Sequence, residues 1–435
     1  MVDIELQPPR QPAIAPAVDF DTILRSLLFL AVVLAVWISF DPFQDLSVPP
    51  AALAEAGNVA NQVGFASLFL MVAGWTALHG ADRLRVLLRP ALVLVFGWFA
   101  ICVVTSWEPA LSARRLVFTA IMMALAGAIL LLPKSVRHFT DLLSAAVLIV
   151  LALCYAGVLL VPDLAVHQAT DVLEPEHAGS WRGLFAHKNQ AGGMMAVFVF
   201  IGLFVARTRS SLLGTLIVSL SLVFLVASYS KTSLFLLPVV FVISLFLANV
   251  RRPALGLLFG IGGVVLINVV SIGSIFFDAV RDALGLVVDP SFTGRTAIWQ
   301  FAVERLAERP LTGYGFSAFW ATEHVVYGMS QSSSWASSAT DAHNAYLNLA
   351  LTVGVPGLLL VLVWILVLPI LDFTKRPERR DDDDPLALLF LRVWLFVVYA
   401  SSFESLLFQP SGELWFLFVM AIFGLRFLSR SRAVL

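Results

Sequence analysis

The residues of this chain able to do chemistry are few, and most are basic. His343 lies in Thr340-Asp341-Ala342-His343-Asn344, directly before a long apolar run. Thr340 or Asp341 suits an N-cap, which puts His343 in the first turn of a helix, where the dipole disfavours imidazolium. A neutral imidazole accepts protons, so His343 is a candidate general base, the alternative being a histidine that only hydrogen-bonds a cap. Arg295 opens a segment whose Ile298, Phe301, Ala302, Arg305 and Leu306 share one helical face. With Thr293 as N-cap, the start of that helix welcomes an anion. Lys231 sits in the turn Ser228-Tyr229-Ser230-Lys231-Thr232-Ser233, which breaks an apolar stretch. It either meets a polar partner at membrane depth or snorkels to the interface. Arg182, His187 and Lys188 belong to a basic segment before Gly192-Gly193, and either bind phosphate or anchor the end of a span. One base and several cations at the ends of apolar helices describe a site for a large anion at a lipid surface. A lipid-linked diphosphate fits that description.

The elements that must position these groups are membrane spans. Of 435 residues, 59% are hydrophobic and 13% charged, about half the usual charged share of ~25%, and the mean hydropathy is +0.90. A soluble surface cannot be built from that composition. With 28 Lys plus Arg against 29 Asp plus Glu the net charge is -1, so no basic surface exists for nucleic acid. Cys102 and Cys154 lie in apolar runs, which excludes a disulfide framework and a cysteine metal site. Apolar runs at 22-40, 59-78, 86-105, 114-132, 140-161, 190-206, 211-229, 231-248, 254-277, 345-371, 386-403 and 411-428 predict an all-α fold of about 12 transmembrane helices. Basic residues crowd alternate loops, as at Arg83, Arg85 and Arg89 or Arg251 and Arg252, whereas 41-58 and 404-410 have none. Both termini are therefore expected in the cytoplasm, with the first span a retained anchor rather than a cleaved signal. The chain divides into a tail (1-21), nine spans (22-277), a large outer loop with an amphipathic helix (278-344), three spans (345-428) and a second tail (429-435). Loops as long as 278-344 are usually functional.

His343-Asn344, nine residues, then Gly354-Val355-Pro356-Gly357 resembles the signature of the O-antigen ligase and O-antigen polymerase superfamily. Gly294-Arg295-Thr296-Ala297-Ile298-Trp299 and Pro310-Leu311-Thr312-Gly313-Tyr314-Gly315 resemble that family's stretch before the histidine. The Phe185-Ala186-His187-Lys188-Asn189 segment and the Ser230-Lys231-Thr232 turn look most like exopolysaccharide-type polymerases, although many relatives carry arginine where this chain has Lys231. The resemblance implies a fold like the polytopic lipid-linked (GT-C-like) glycosyltransferases in a bacterial inner membrane, with a periplasmic active site. It implies transfer of an oligosaccharide from undecaprenyl diphosphate to an acceptor glycan with inversion, without metal or cofactor. His343 would act as base and Arg295 would hold the diphosphate. Lys231, Arg182, Lys188, His187 and Asn344 would bind substrate, and flippase and chain-length or export proteins would be partners alongside membrane lipid. The runner-up activities are ligation to lipid A core and protein O-glycosylation. A transporter would instead place its polar residues at the bilayer midplane.

Overall fold

The computed structural model describes residues 19–39, 42–48, 59–172, 174–250, 252–285, 295–326, 339–375 and 384–430. A helix occupies each apolar run: α1 (Phe20–Ile38), α2 (Val59–His79), α3 (Pro90–Val104), α4 (Pro109–Ala128), α5 (Val136–Leu160), α6 (Lys188–Thr208), α7 (Ser211–Ala227), α8 (Lys231–Asn249) and α9 (Pro253–Phe276). There follow α10 (Arg295–Glu308), outside the runs, then α11 (Ala345–Leu362), α12 (Pro385–Ala400) and α13 (Glu413–Arg430). No strand occurs among the described residues, only an antiparallel bridge between Val166 and Trp181.

Eight helices are long and apolar enough to cross a membrane, or up to nine if Ala81–Leu87 and α3, bent by 76°, make one span. The chain is thus an all-α, multi-pass membrane protein. The expected count of twelve is not reached on length and composition. Helices α7 and α12 have 17 and 16 residues, roughly 25 Å against a ~30 Å hydrocarbon layer, and α13 starts on a carboxylate and carries two arginines.

Helix ends follow their local chemistry. Proline stands at the start of α3, α4, α9 and α12, where its missing N–H costs nothing. Asp19, Ser135, Ser210 and Asp384 cap α1, α5, α7 and α12. Helices α6, α12 and α13 are buried almost all round and form the centre, while α2, α8 and α9 expose Leu70, Phe235, Val242, Leu258 and Leu266 to lipid. Helix α6 meets α7 through Gly202 and Gly214, where a Cβ on Gly214 would lie 2.5 Å from that of Ala206.

Two sequence motifs meet at a break in α11. Gly354 has φ 73° and ψ 174°, a backbone open only to glycine, and Pro356 brings no N–H to the Thr352 carbonyl. The freed groups are taken up by the 310–315 strip. Tyr314 N donates to Leu351 O (3.1 Å), Gly315 N to Thr352 O (3.0 Å) and Val355 N to Pro310 O (2.8 Å). Trp98 Nε1 donates to Val353 O at 2.8 Å. A Cβ on Gly354 would strike the Leu311 carbonyl, and one on Gly313 would lie 2.5 Å from Leu351 O.

Candidate active site

His343 stands just ahead of α11 in a left-handed conformation, φ 46°. The expected cap is corrected here: Asn344, not Thr340 or Asp341, caps α11, so His343 precedes the helix instead of lying in its first turn. Asn344 Oδ1 accepts from Tyr346 N (3.1 Å) and Leu347 N (3.0 Å), and its Nδ2 donates to Asn268 Oδ1 (2.8 Å) and Ser402 O (3.1 Å). Fully buried and fully bonded, it holds the joint and has nothing left for a substrate, contrary to expectation. Ala345 N donates to Ser401 O at 2.8 Å, which seats the start of α11 on the loop between α12 and α13.

That loop supplies Glu404, a residue the sequence reading passed over. Its Oε2 lies 3.6 Å from His343 Nδ1, and its Oε1 accepts from Arg295 Nη2 (3.1 Å) and Asn189 Nδ2 (3.0 Å). Arg295 also donates to the Phe403 carbonyl. Asp341 accepts from His343 N at 2.6 Å, with Oδ1 3.8 Å from Nδ1. Burial alone would favour neutral imidazole, but Glu404 and Asp341 outweigh it and raise the His343 pKa above its ordinary value. The expected dipole effect therefore loses to two carboxylates. Glu404, although desolvated, is held below the usual carboxylate range by His343 and Arg295. The His343 side chain is 34% exposed, so its free edge is open to a substrate. A signal for Glu404 did exist: it is the acid in an otherwise short turn between two very apolar runs.

Helix α10 packs on α9 and α11 and buries Ile298, Trp299, Phe301 and Ala302. Trp299 Nε1 donates to Ala342 O at 2.9 Å, one residue before His343, so Arg295 and Trp299 of one motif grip the site from two directions. The expected Thr293 cap lies outside the described residues.

A second cationic group stands at the mouths of α6 and α8. Lys188 and Lys231 are the first residues of these helices, which pack together where Gly192 admits Ser230, and their charges are close enough to repel. Lys231 is exposed and Lys188 half-buried. Asn189, beside Lys188, ties this mouth to Glu404. Arg182 is different, and its expected phosphate role is corrected. It is 1% exposed, donates to Phe185 O (3.1 Å) and to the Gln44 carbonyl, and so pins its own loop. His187 caps α6: its Nδ1 accepts from Asn189 N (3.1 Å), and Nε2 lies 2.7 Å from Glu174 Oε2. The hydrogen bond from His187 holds the Glu174 carboxyl down at about 2. Glu174, His177 and His187 bring ligand atoms within 4.8 Å, as a metal site would. A metal on His187 Nε2 would need the ring proton on Nδ1, which the cap bond already occupies as an acceptor. His187 thus caps α6, with Glu174 against the far nitrogen of its ring.

Residues 194–362, from α6 into α11, match the family profile described as O-Antigen ligase. The match takes in Lys231, Arg295, His343 and Asn344. The exopolysaccharide production protein ExoQ of Rhizobium meliloti (strain 1021) is 28% identical over 260 residues, covering 54% of this chain and 58% of that relative's length. The resemblance read from the motifs is supported: residues 194–362 are similar to O-antigen ligases, and the chain is similar to an exopolysaccharide production protein.

Proposed function

From the match to O-antigen ligases, which takes in Lys231, Arg295 and His343, we propose that the chain transfers a glycan from undecaprenyl diphosphate to an acceptor sugar. The transfer lengthens O-antigen or exopolysaccharide chains at the outer face of the inner membrane. The similarity to an exopolysaccharide production protein favours polymerisation over ligation. The observation that carries the chemistry is His343, half-open at a helix joint and held between Asp341 and Glu404, with Arg295 behind the carboxylate.

In the reaction, the acceptor hydroxyl gives its proton to His343 as its oxygen bonds to C1 of the donor sugar. The C1–O bond to the diphosphate breaks on the opposite face, the electron pair leaves with the diphosphate, and the configuration inverts. Lys188 and Lys231 meet the leaving charge. Arg295 keeps Glu404 ionised, and Glu404 keeps the imidazole in place and stabilises the imidazolium that forms. A general base contributes about 10²- to 10⁴-fold, so positioning and charge neutralisation supply the remainder.

The test is purified protein in lipid nanodiscs with undecaprenyl-diphosphate repeat units as the sole glycan. Lengthened glycan is expected. Product formed only after lipid A core is added makes the protein a ligase, and no transfer to any acceptor overturns the reading.

A further inference from the structure

At the end of the bundle remote from His343, which the basic loops assign to the cytoplasm, most basic side chains that the packing draws in have an acid of their own. Arg89 and Arg426 share Asp372 (2.7 and 3.4 Å), Arg209 pairs with Asp141 (2.6 Å) and Lys134 with Asp19 (2.9 Å). Arg392 of α12 is buried more deeply than any of these, at 8% exposed, and no carboxylate among the described residues lies within ion-pair distance of it. Its Nε donates to Ser244 Oγ of α8 at 3.1 Å, and its guanidinium carbon lies 5.1 Å from the centre of the Phe241 ring. The two Nη groups have no acceptor among the described residues. Arg207, the last residue but one of α6, is near enough for the two charges to repel. A hydroxyl and a ring face do not neutralise a cation taken out of water among apolar helices, and a second cation makes the need for an anion greater.

The depth of the group and its neighbours say what kind of anion fits. Arg392 lies seven residues from the start of α12 and Ser244 five from the end of α8, so both sit roughly 8–10 Å inside the helix ends. Arg207 stands at the rim above them. Beside Ser244, the lipid-facing stripe of α8 begins at once with Phe241, Val242 and Leu245, all exposed. Cations between helices, at the level where polar ends give way to an apolar face, are suited to an anionic lipid headgroup. We propose that Arg392, Arg207 and Ser244 bind the phosphate of an anionic glycerophospholipid from that leaflet, with its acyl chains laid along Phe241, Val242 and Leu245. The guanidinium fork of Arg392 presents paired N–H donors to the phosphate oxygens, and the lipid fills the seam where α8 meets α6 and α12. The site is separate from the transfer reaction, at the opposite end of the same three helices.

The experiment titrates the full chain, purified and delipidated in detergent, with phosphatidylglycerol, phosphatidylcholine or inorganic phosphate, and reads binding by native mass spectrometry and thermal unfolding. Wild type is expected to hold one tight phosphatidylglycerol and to melt at a higher temperature with it, while phosphatidylcholine, which carries its own cation, does neither. Arg392→Met, apolar and of similar length, should weaken that binding by about one to two decades and abolish the preference between the two lipids. Arg207→Gln, at an exposed position that leaves the core untouched, should weaken it by a smaller factor, so the proposal is decided even if Arg392→Met does not fold. Equal binding of the two lipids by wild type overturns the proposal. So does phosphatidylglycerol binding that Arg207→Gln leaves unchanged and, where it folds, Arg392→Met leaves unchanged. Equal protection by inorganic phosphate overturns it in favour of a site for a soluble anion.

Discussion

His343 sits at φ 46°, a region that asparagine and histidine tolerate better than alanine. His343→Asn therefore removes the ring with the backbone kept, and polymer formation should fall about 10²-fold or more while membrane abundance, read by immunoblot, stays near wild type. Equal loss of protein and activity would make His343 a structural residue. Glu404 gives a sharper test, because it acts through charge. The carboxylate raises the His343 pKa, so the neutral, proton-accepting form appears only at higher pH. Glu404→Gln removes that pull and leaves Arg295, which lowers it. The acid limb of the turnover profile should move to lower pH even as the maximum rate drops. An unmoved limb would show that Glu404 holds the loop and does not set the proton affinity of the base.

At the scale of elements, the site depends on a broken helix. Gly354→Ala forces alanine into a glycine-only conformation and drives its Cβ into the Leu311 carbonyl, so the 310–315 strip must leave α11. Abundance and activity should both collapse, and a tolerated substitution would mean that the break is incidental. Arg182→Ala strands the carbonyls of Phe185 and Gln44 in a buried loop, at about 1–3 kcal/mol for each unpaired group. The protein should lose thermal stability with little change in the donor concentration needed for half-maximal turnover. A changed donor requirement at unchanged stability would return Arg182 to phosphate binding.

For the whole molecule, the basic loops predict that the mouths of α6 and α8 face out of the cell and that the Ala81–Leu84 turn faces the cytoplasm. Single cysteines at exposed Glu176 and Asp82 should react oppositely with an impermeant thiol reagent in intact cells, since Cys102 and Cys154 are buried. Reaction at Asp82 and not at Glu176 would invert the topology and separate the site from its donor. Hydropathy along the chain was enough to find every long helix and the membrane that surrounds them, because burial in lipid is recorded in runs of adjacent residues. Type and spacing named His343 and Arg295 as candidates, and the fold brings both to Glu404. The roles of Asn344, Arg182 and Glu404 were decided only by the tertiary structure. Their partners lie on other helices, Asn268 for Asn344 and His343 for Glu404, and helix packing alone determines which polar group an amide, a guanidinium or a carboxylate will meet. Spans are local properties of a chain, whereas hydrogen-bond partners across a bundle are not.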